Sequence, residues 1–114
     1  MSASDEADRW EALERLGAEL NARFHRIWDR YVEAREERHP IKWALLELMA
    51  TAGREWLYGI EPDHLLSACM AFRDAEWIAR KLRLRDVASL AGEIRARMEE
   101  VIRLYGESCG EGGA

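Results

Sequence analysis

Apolar residues recur at spacings of three and four between Ser4 and Arg38, and this pattern constrains the fold more than any other feature of the chain. The spacing places seven side chains on one helical stripe: Trp10, Leu13, Leu20, Phe24, Ile27, Tyr31 and Ala34. A pattern sustained over about three and a half heptads predicts one long amphipathic helix. Leu16 and Trp28 widen the stripe, which favours packing in a bundle over a bare two-stranded seam.

Three shorter helices are predicted to follow the long one. Pro40 opens the second, because a proline at the first helical position leaves no hydrogen bond unmade, and its apolar residues are predicted to form a single inward stripe ending near Gly59. The third helix is predicted over about residues 64–82, and the fourth follows its expected cap, Asp86, and stops at Gly106. Short connections favour antiparallel neighbours, so the sequence predicts an all-α, up-down bundle of about four helices.

Length and composition describe one ordinary globular domain. The chain has 114 residues, of which 48% are hydrophobic and 34% charged, which is typical of a folded protein rather than a disordered one. We therefore expect a single helical domain over residues 1–106 and a flexible, glycine-rich tail over residues 107–114. The formal net charge of −5 disfavours a protein that coats nucleic acid non-specifically.

The sequence indicates a cytoplasmic protein without membrane contact. No apolar run approaches the roughly 20 residues of a membrane span, and the first residues are acidic where a signal peptide would be basic. Fifteen arginines stand against two lysines, with one asparagine and no glutamine. This bias is typical of either a thermophilic source or a GC-rich genome.

The two cysteines, Cys69 and Cys109, do not form a recognisable motif. Cys69 falls in the apolar pattern of the third helix, whereas Cys109 lies in the glycine-rich tail. With no Cys-x-x-Cys pair, the spacing predicts neither a disulfide scaffold nor a zinc site. We expect Cys69 to be a small core residue and Cys109 to be an exposed thiol.

The length of the first helix predicts self-association. At 1.5 Å per residue it would extend about 50 Å, while its partners would extend only about 28 Å, which leaves about 20 Å of apolar stripe uncovered. Either the helix bends near Gly17 or a second copy of the chain covers the overhang, and we favour a homodimer. The predicted interface comprises the apolar residues of the overhang: Trp10, Leu13 and Leu16.

Two other tryptophans are candidates for a patch that binds a protein partner. The chain has five tryptophans, and Trp43 and Trp77 lie off the apolar stripes of the second and third helices. Tryptophan is enriched at interface hot spots because it buries a large area with few rotatable bonds. The alternative is that these side chains border the core of a small protein.

A basic segment at the end of the third helix offers an alternative role in binding RNA or DNA. The candidate nucleic-acid residues are cations in or near this segment: Arg80, Lys81, Arg83, Arg85 and Arg95. Cations at the end of a helix also offset the helix dipole, and Glu76–Arg80 and Glu93–Arg97 have the spacing of ordinary surface pairs. The second explanation requires no ligand.

Two Glu-x-x-His sequences, Glu36…His39 and Glu61…His64, have the spacing that supplies two metal ligands in carboxylate bundles. Glu36 falls opposite the apolar stripe of its helix, and each sequence meets a proline, which opposes the helical geometry such a site needs. We therefore expect solvated residues at helix ends, with no metal site and no cofactor.

The run from Arg35 to His39 resembles the Arg-x4–6-His motif of HEPN-type helical ribonucleases, with one residue fewer between the arginine and the histidine. The resemblance covers five residues together with the helical content. It implies a dimer in which Arg35 and His39 act on the phosphate and the 2′-hydroxyl of RNA. This is the enzyme alternative for the chain.

The leading prediction is a non-enzymatic protein-interaction or assembly module that self-associates. Nucleic-acid binding through the basic region 80–97 is the first alternative, and a dimeric ribonuclease is the second. The three hypotheses separate by mutation, because only the ribonuclease depends on His39 and only the nucleic-acid binder depends on the basic cluster.

Overall fold

The computed structural model describes residues 3–110, and it confirms the all-α, up-down bundle. Its elements, in chain order, are α1 (Ala3–Glu36), α2 (Pro40–Gly59), α3 (Pro62–Lys81), α4 (Arg85–Ile102) and a 3-10 turn (Arg103–Tyr105). Each helix packs on the next, and α4 returns to α1 to close the bundle. Within residues 3–110, no helix combines the length and apolarity needed to cross a membrane.

The core is assembled from one buried stripe on each helix. Large apolar side chains that are fully buried come from all four helices: Leu13, Leu16, Ile27, Leu46, Met49, Trp56, Leu65, Phe72, Val87, Ile94, Met98 and Ile102. Removing such side chains from water is the main contribution to folding, at about 1.5–3 kcal/mol each.

The turns after α1 and α3 have the same geometry and lie at the same end of the bundle. Arg38 (φ 56°) and Arg83 (φ 58°) adopt the left-handed conformation that usually favours glycine. In each turn the next amide donates to a carbonyl oxygen five residues earlier, on Ala34 at 3.0 Å and on Ala79 at 2.8 Å. These compact turns reverse the chain and make neighbouring helices antiparallel.

One predicted helix end agrees with the structure and one helix start differs. Helix α2 ends at Gly59, and the next residue, Ile60 (φ 39°), adopts the left-handed conformation, in which its N–H donates to the Trp56 carbonyl oxygen at 2.7 Å. A branched residue in this conformation is unusual, but its side chain packs over α1, 3.8 Å from where a Cβ on Gly17 would lie. Asp86 does not cap α4 from outside. It lies within the first turn of α4, which begins at Arg85.

The premise of an exposed overhang on α1 is wrong for Leu13 and Leu16, which are 0% and 1% exposed. Helix α1 is uninterrupted at Gly17 and has 34 residues, about 51 Å, which matches the longest dimension of the molecule, 52 Å. Trp56 and the residues that follow it cover Gly17, and the Arg9 guanidinium lies over the Tyr105 ring. The end of α2 and the 3-10 turn therefore lie against the first half of α1, which the comparison of helix lengths had left uncovered.

Candidate functional site

Helix α2 is apolar on two sides. Its inner side is buried in the core through Leu46 and Met49. On the opposite side Ile41 is 51% exposed and Leu48 is 43% exposed. Only four of its 20 residues are charged, against seven of 18 in α4. A helix that is apolar on all sides is normally buried on all sides. One side of α2 is therefore exposed to solvent although its residues are of the type usually found in a core.

The exposed side of α2, here called the α2 outer face, is a second stripe at spacings of three and four. Its members are exposed: Ile41, Ala44, Leu48, Thr51, Glu55 and Tyr58. The prediction of a single inward stripe on this helix is wrong for Ile41, Ala44 and Leu48. Short helices with apolar residues on several faces do not reveal from sequence which face points inward.

A groove of about 560 Å³ runs beside the α2 outer face, between α2 and α3. Leu48 and Ala52 border it from α2, and Ser67 and Ala71 border it from α3. His64, in the first turn of α3, also lines the groove, and the other α3 residues that border it are small. Trp56 forms part of its wall, and within the described residues its buried Nε1–H has no hydrogen-bond partner.

Charged residues lie beside the outer face and within it. Glu47 and Arg54 lie on the side toward α1, where they line a smaller cavity of about 160 Å³ with Trp28 and Tyr31. Glu55 lies on the side toward α3 and borders the larger groove. Glu47 and Arg54 are seven residues apart, which is close to two helical turns, so they occupy the same side of α2 at different heights.

The predicted interface residues are not brought together on one surface. Leu13 and Leu16 belong to the core, as described above, while Trp10 is 47% exposed near the start of α1. Trp43 is partly buried at the core edge, with the Arg35 guanidinium 4.6 Å from its ring centroid. Trp77 is 40% exposed on α3, with Lys81 Nζ 5.5 Å from its ring centroid.

The basic residues predicted to bind nucleic acid divide into paired and exposed groups. Arg80 and Arg95 both bind the buried carboxylate of Glu76, at 3.3 and 3.1 Å. Lys81 lies over an aromatic ring, which leaves Arg83 and Arg85 as exposed cations. The predicted cluster therefore keeps only part of its charge free for a phosphate backbone.

Two buried carboxylates between α3 and α4 were not predicted from the sequence: Glu76 and Glu99, which are 7% and 6% exposed. The buried position of the Glu76 carboxylate requires a glycine at position 92, because a Cβ on Gly92 would overlap Glu76 Oε2. A glycine in the middle of a predicted helix was the available signal, since it costs helix stability and usually has a packing reason.

Charged pairs also join α1 to α4. Glu93 accepts hydrogen bonds from Arg26 at 3.1 Å and from Arg23 at 3.2 Å, and not from Arg97 as its spacing predicted. Arg97 instead binds Glu19, at 2.8 Å. The hydrogen bond from Arg26 lowers the pKa of Glu93, although burial acts in the opposite direction.

Lys42 joins the two turns at one end of the bundle. It is 8% exposed, and its Nζ lies 2.8 Å from Asp86 and 3.6 Å from Glu37. The hydrogen bond to Asp86 raises the pKa of Lys42, against the opposing effect of burial. Burial raises the pKa of Asp86, but the Lys42 hydrogen bond and the Val87 N–H outweigh it, so that this pKa lies below its usual value.

The two histidines considered for catalysis or for a metal site, His39 and His64, differ in their contacts and exposure. His39 Nδ1 accepts a hydrogen bond from the Lys42 backbone N–H at 3.2 Å and thereby caps α2. Arg35, the other residue of the ribonuclease-like motif, stacks on aromatic rings instead. Glu61 and His64 are both exposed, 4.0 Å apart.

The prediction of an exposed Cys109 is wrong. This residue is 3% exposed and forms a disulfide with Cys69, with a Cα–Cα distance of 5.9 Å. The Arg73 guanidinium donates to its carbonyl oxygen, and Glu99 contacts its backbone. The first part of the predicted tail, residues 107–110, thus packs on the bundle, whereas residues 111–114 lie outside the described part of the chain.

Comparison of the chain with protein-family models, with curated proteins and with solved structures finds no match. The functional hypotheses for this protein consequently depend on its own residues and their geometry. Among the described residues, the α2 outer face is the surface whose exposed apolar side chains most clearly favour contact with another molecule.

Proposed function

We propose that this protein is a non-enzymatic assembly module that self-associates through the α2 outer face, with α2 of one copy antiparallel to α2 of a second. The observation that carries the proposal is the exposure of Ile41 and Leu48 on a helix whose other side is already in the core. Full burial of such a side chain contributes about 1.5–3 kcal/mol, and covering the half that is exposed here contributes about half of that. A second copy supplies that cover without any other protein.

The charge pattern of α2 supports a two-fold arrangement. In an antiparallel pair centred near Thr51, Glu47 of one copy lies opposite Arg54 of the other, and the same contact occurs twice. The small side chain of Ala44 then faces the large ring of Tyr58, which is 86% exposed in the single chain. Exposed ion pairs add little affinity but discriminate between registers and orientations, so the pattern favours one self-complementary interface.

The test is the mass in solution at tens of micromolar, measured by size-exclusion chromatography with light scattering. We expect a mass near twice 13.2 kDa for the natural chain and a monomer for Leu48→Glu. Leu104→Glu is the matched control, because Leu104 is exposed to a similar degree, 48%, but lies on the 3-10 turn. It should leave the dimer intact.

A charge exchange tests the orientation. Glu47→Arg and Arg54→Glu should each weaken the dimer, and the double variant should restore it, because the opposite charges again face each other. A monomeric natural chain, or a dimer that survives Leu48→Glu, would overturn the proposal. Co-purified nucleic acid that is lost in high salt and on Arg83→Glu would favour the nucleic-acid alternative instead.

A further inference from the structure

Three side chains of metal-ligand type meet between α3, α4 and the segment that follows the 3-10 turn. Cys69 comes from α3, Glu99 from α4 and Cys109 from the segment after the 3-10 turn, and all three are buried. One potential ligand atom from each lies within 4.8 Å of the others. The proposed dimer does not use this cluster.

The Glu99 carboxylate has few donors for a buried anion. Ser108 Oγ donates to Oε1 at 2.6 Å, and the Cys109 backbone N–H donates to Oε2 at 3.2 Å. The Arg103 guanidinium lies 3.8 Å from Oε1. Oε2 also lies 2.6 Å from the Cys109 sulfur and 3.5 Å from the Cys69 sulfur. Sulfur atoms joined in a disulfide have no proton to donate, so these contacts do not offset the cost of burying the charge.

We propose that the reduced form of this cluster binds one thiophilic divalent cation, represented by Zn²⁺, through the two cysteine thiolates and a carboxylate oxygen of Glu99. Zinc takes thiolate sulfur at about 2.3 Å and carboxylate oxygen at about 2.0–2.2 Å, so the edges of its ligand tetrahedron are about 3.3–3.8 Å long. The Cys69 sulfur and Glu99 Oε2, 3.5 Å apart, already match such an edge, while the Cys109 sulfur, 2.6 Å from Oε2 and bonded to Cys69, must move outward once the disulfide is reduced.

The surroundings suit a metal-bound carboxylate. Ser108 holds the oxygen that faces away from Cys109, as outer partners of zinc ligands commonly do. Two thiolates and one carboxylate carry three negative charges, of which the ion neutralises two. The nearby Arg103 and Arg73 guanidiniums offset part of the remainder. A water molecule completes the fourth position.

The oxidation state of Cys69 and Cys109 determines whether this site binds the ion. A dithiol reductant supplies two electrons and two protons, cleaves the Cys69–Cys109 bond and itself becomes a cyclic disulfide, leaving two thiols. When Zn²⁺ binds, each thiol releases its proton to solvent and forms a sulfur–zinc bond, and Glu99 donates an electron pair from its oxygen. The oxidised chain lacks both thiolates and does not bind the ion.

The experiment compares the full chain in two states: reduced with a dithiol and desalted without oxygen, and oxidised in air. After dialysis against micromolar Zn²⁺, elemental analysis should find about one zinc per reduced chain and none on the oxidised chain. Co²⁺ substituted for zinc should produce near-ultraviolet thiolate-to-cobalt absorption, which carboxylates alone do not give.

Variants separate this site from adventitious binding. Cys109→Ser, outside the four helices, should abolish stoichiometric zinc while helical circular dichroism is retained. Ser108→Ala should weaken affinity by about 10–100-fold, as for other outer partners, and Glu99→Gln by more. Glu76→Gln changes the other buried carboxylate between α3 and α4 and should bind zinc normally. A reduced chain that takes up no zinc, shows no thiolate–cobalt absorption, or keeps binding after Cys109→Ser would overturn the proposal.

Discussion

The interface between α3 and α4 buries the carboxylates of Glu76 and Glu99, whereas the α2 outer face exposes the apolar side chains of Ile41 and Leu48. Each surface places a residue type where it is normally unfavourable. Between α3 and α4 the same chain supplies compensation for Glu76, because the Arg80 and Arg95 guanidiniums bind its carboxylate.

On the α2 outer face, Ile41 and Leu48 remain exposed within residues 3–110, because the α3 residues beside the adjacent groove are small apart from His64. The difference indicates which of the two surfaces has its unfavourable groups covered or paired by residues of the same chain. A buried charge with partners belongs to a finished interface between helices, while an exposed apolar stripe on an otherwise buried helix indicates an interface with another molecule. The following experiments test that contrast.

The largest difference is expected between the two sides of α2. Leu46→Ala should lower the free energy of unfolding by about 2–5 kcal/mol, because Leu46 is fully buried and its loss leaves a cavity. Leu48→Ala should change it by less than about 1 kcal/mol in the monomer, while weakening the dimer. Urea unfolding at low protein concentration, paired with light scattering at high concentration, measures both. Equal losses of monomer stability would show that the two sides of α2 do not differ.

Two glycine-to-alanine substitutions test whether the buried Glu76 carboxylate stabilises the α3–α4 interface. Gly92→Ala should destabilise the fold by about 1–3 kcal/mol, because the added methyl displaces the Glu76 carboxylate from Arg95. Gly17→Ala is the control: its Cβ would meet neighbours at 3.8 Å or more, so it should stabilise α1 by about 0.5–1 kcal/mol.

Thermal unfolding of the double variant Gly92→Ala, Glu76→Ala completes this test. Without the carboxylate there is room for the methyl, so the alanine at position 92 should no longer be destabilising. If Gly92→Ala destabilises equally in both backgrounds, Glu76 is not the reason for the glycine.

Substitutions of His39 test whether this residue has a structural role as the cap of α2 or a catalytic role. His39→Ala should lower the free energy of unfolding by about 1 kcal/mol through loss of the α2 cap. His39→Asn should retain most of the stability, because an asparagine oxygen accepts the same N–H. A ribonuclease activity abolished equally by both substitutions would contradict a purely structural role.

The smallest effect is expected from acid. The pKa values of Asp86 and Glu93 lie below their ordinary values of 3.8 and 4.5, so both groups stabilise the fold above those values. This contribution is lost as the pH falls through the lowered pKa values of the folded state. Unfolding measured between pH 6 and 2 should show a shallower decline for Asp86→Asn and Glu93→Gln.

Glu11→Gln is the matched control for the acid titration, because Glu11 pairs with Arg15 in a well-exposed contact. Such pairs contribute little to stability, so this variant should follow the natural chain. A decline unchanged by Asp86→Asn and Glu93→Gln would show that neither ion pair links the helices energetically.

The sequence predicted the fold more fully than the candidate sites. The sustained spacing in residues 4–38, Pro40 and the shorter apolar stripes after it were sufficient for the number and order of helices, because these are local properties of the chain. Helix ends were less predictable. Arg38, Ile60 and Arg83 take left-handed positions that usually favour glycine, and only contacts from other helices determine whether such a residue is accommodated.

The candidate sites depended on distances that sequence does not contain. Cys69 and Cys109 are 40 residues apart, and nothing local predicts that the segment after α4 folds back onto α3. The contact between Glu76 and Gly92 likewise could not be predicted from the sequence, because it forms only when α3 packs against α4.

By itself, the sequence determined an all-α bundle with a long first helix, because periodicity and capping operate within one or two helical turns. Only the tertiary structure decided that Leu13 and Leu16 are covered, that the outer side of α2 is not, and that two cysteines and a glutamate share one buried site. Each of those outcomes depends on which surfaces remain after all four helices have packed, and that is a property of the whole chain.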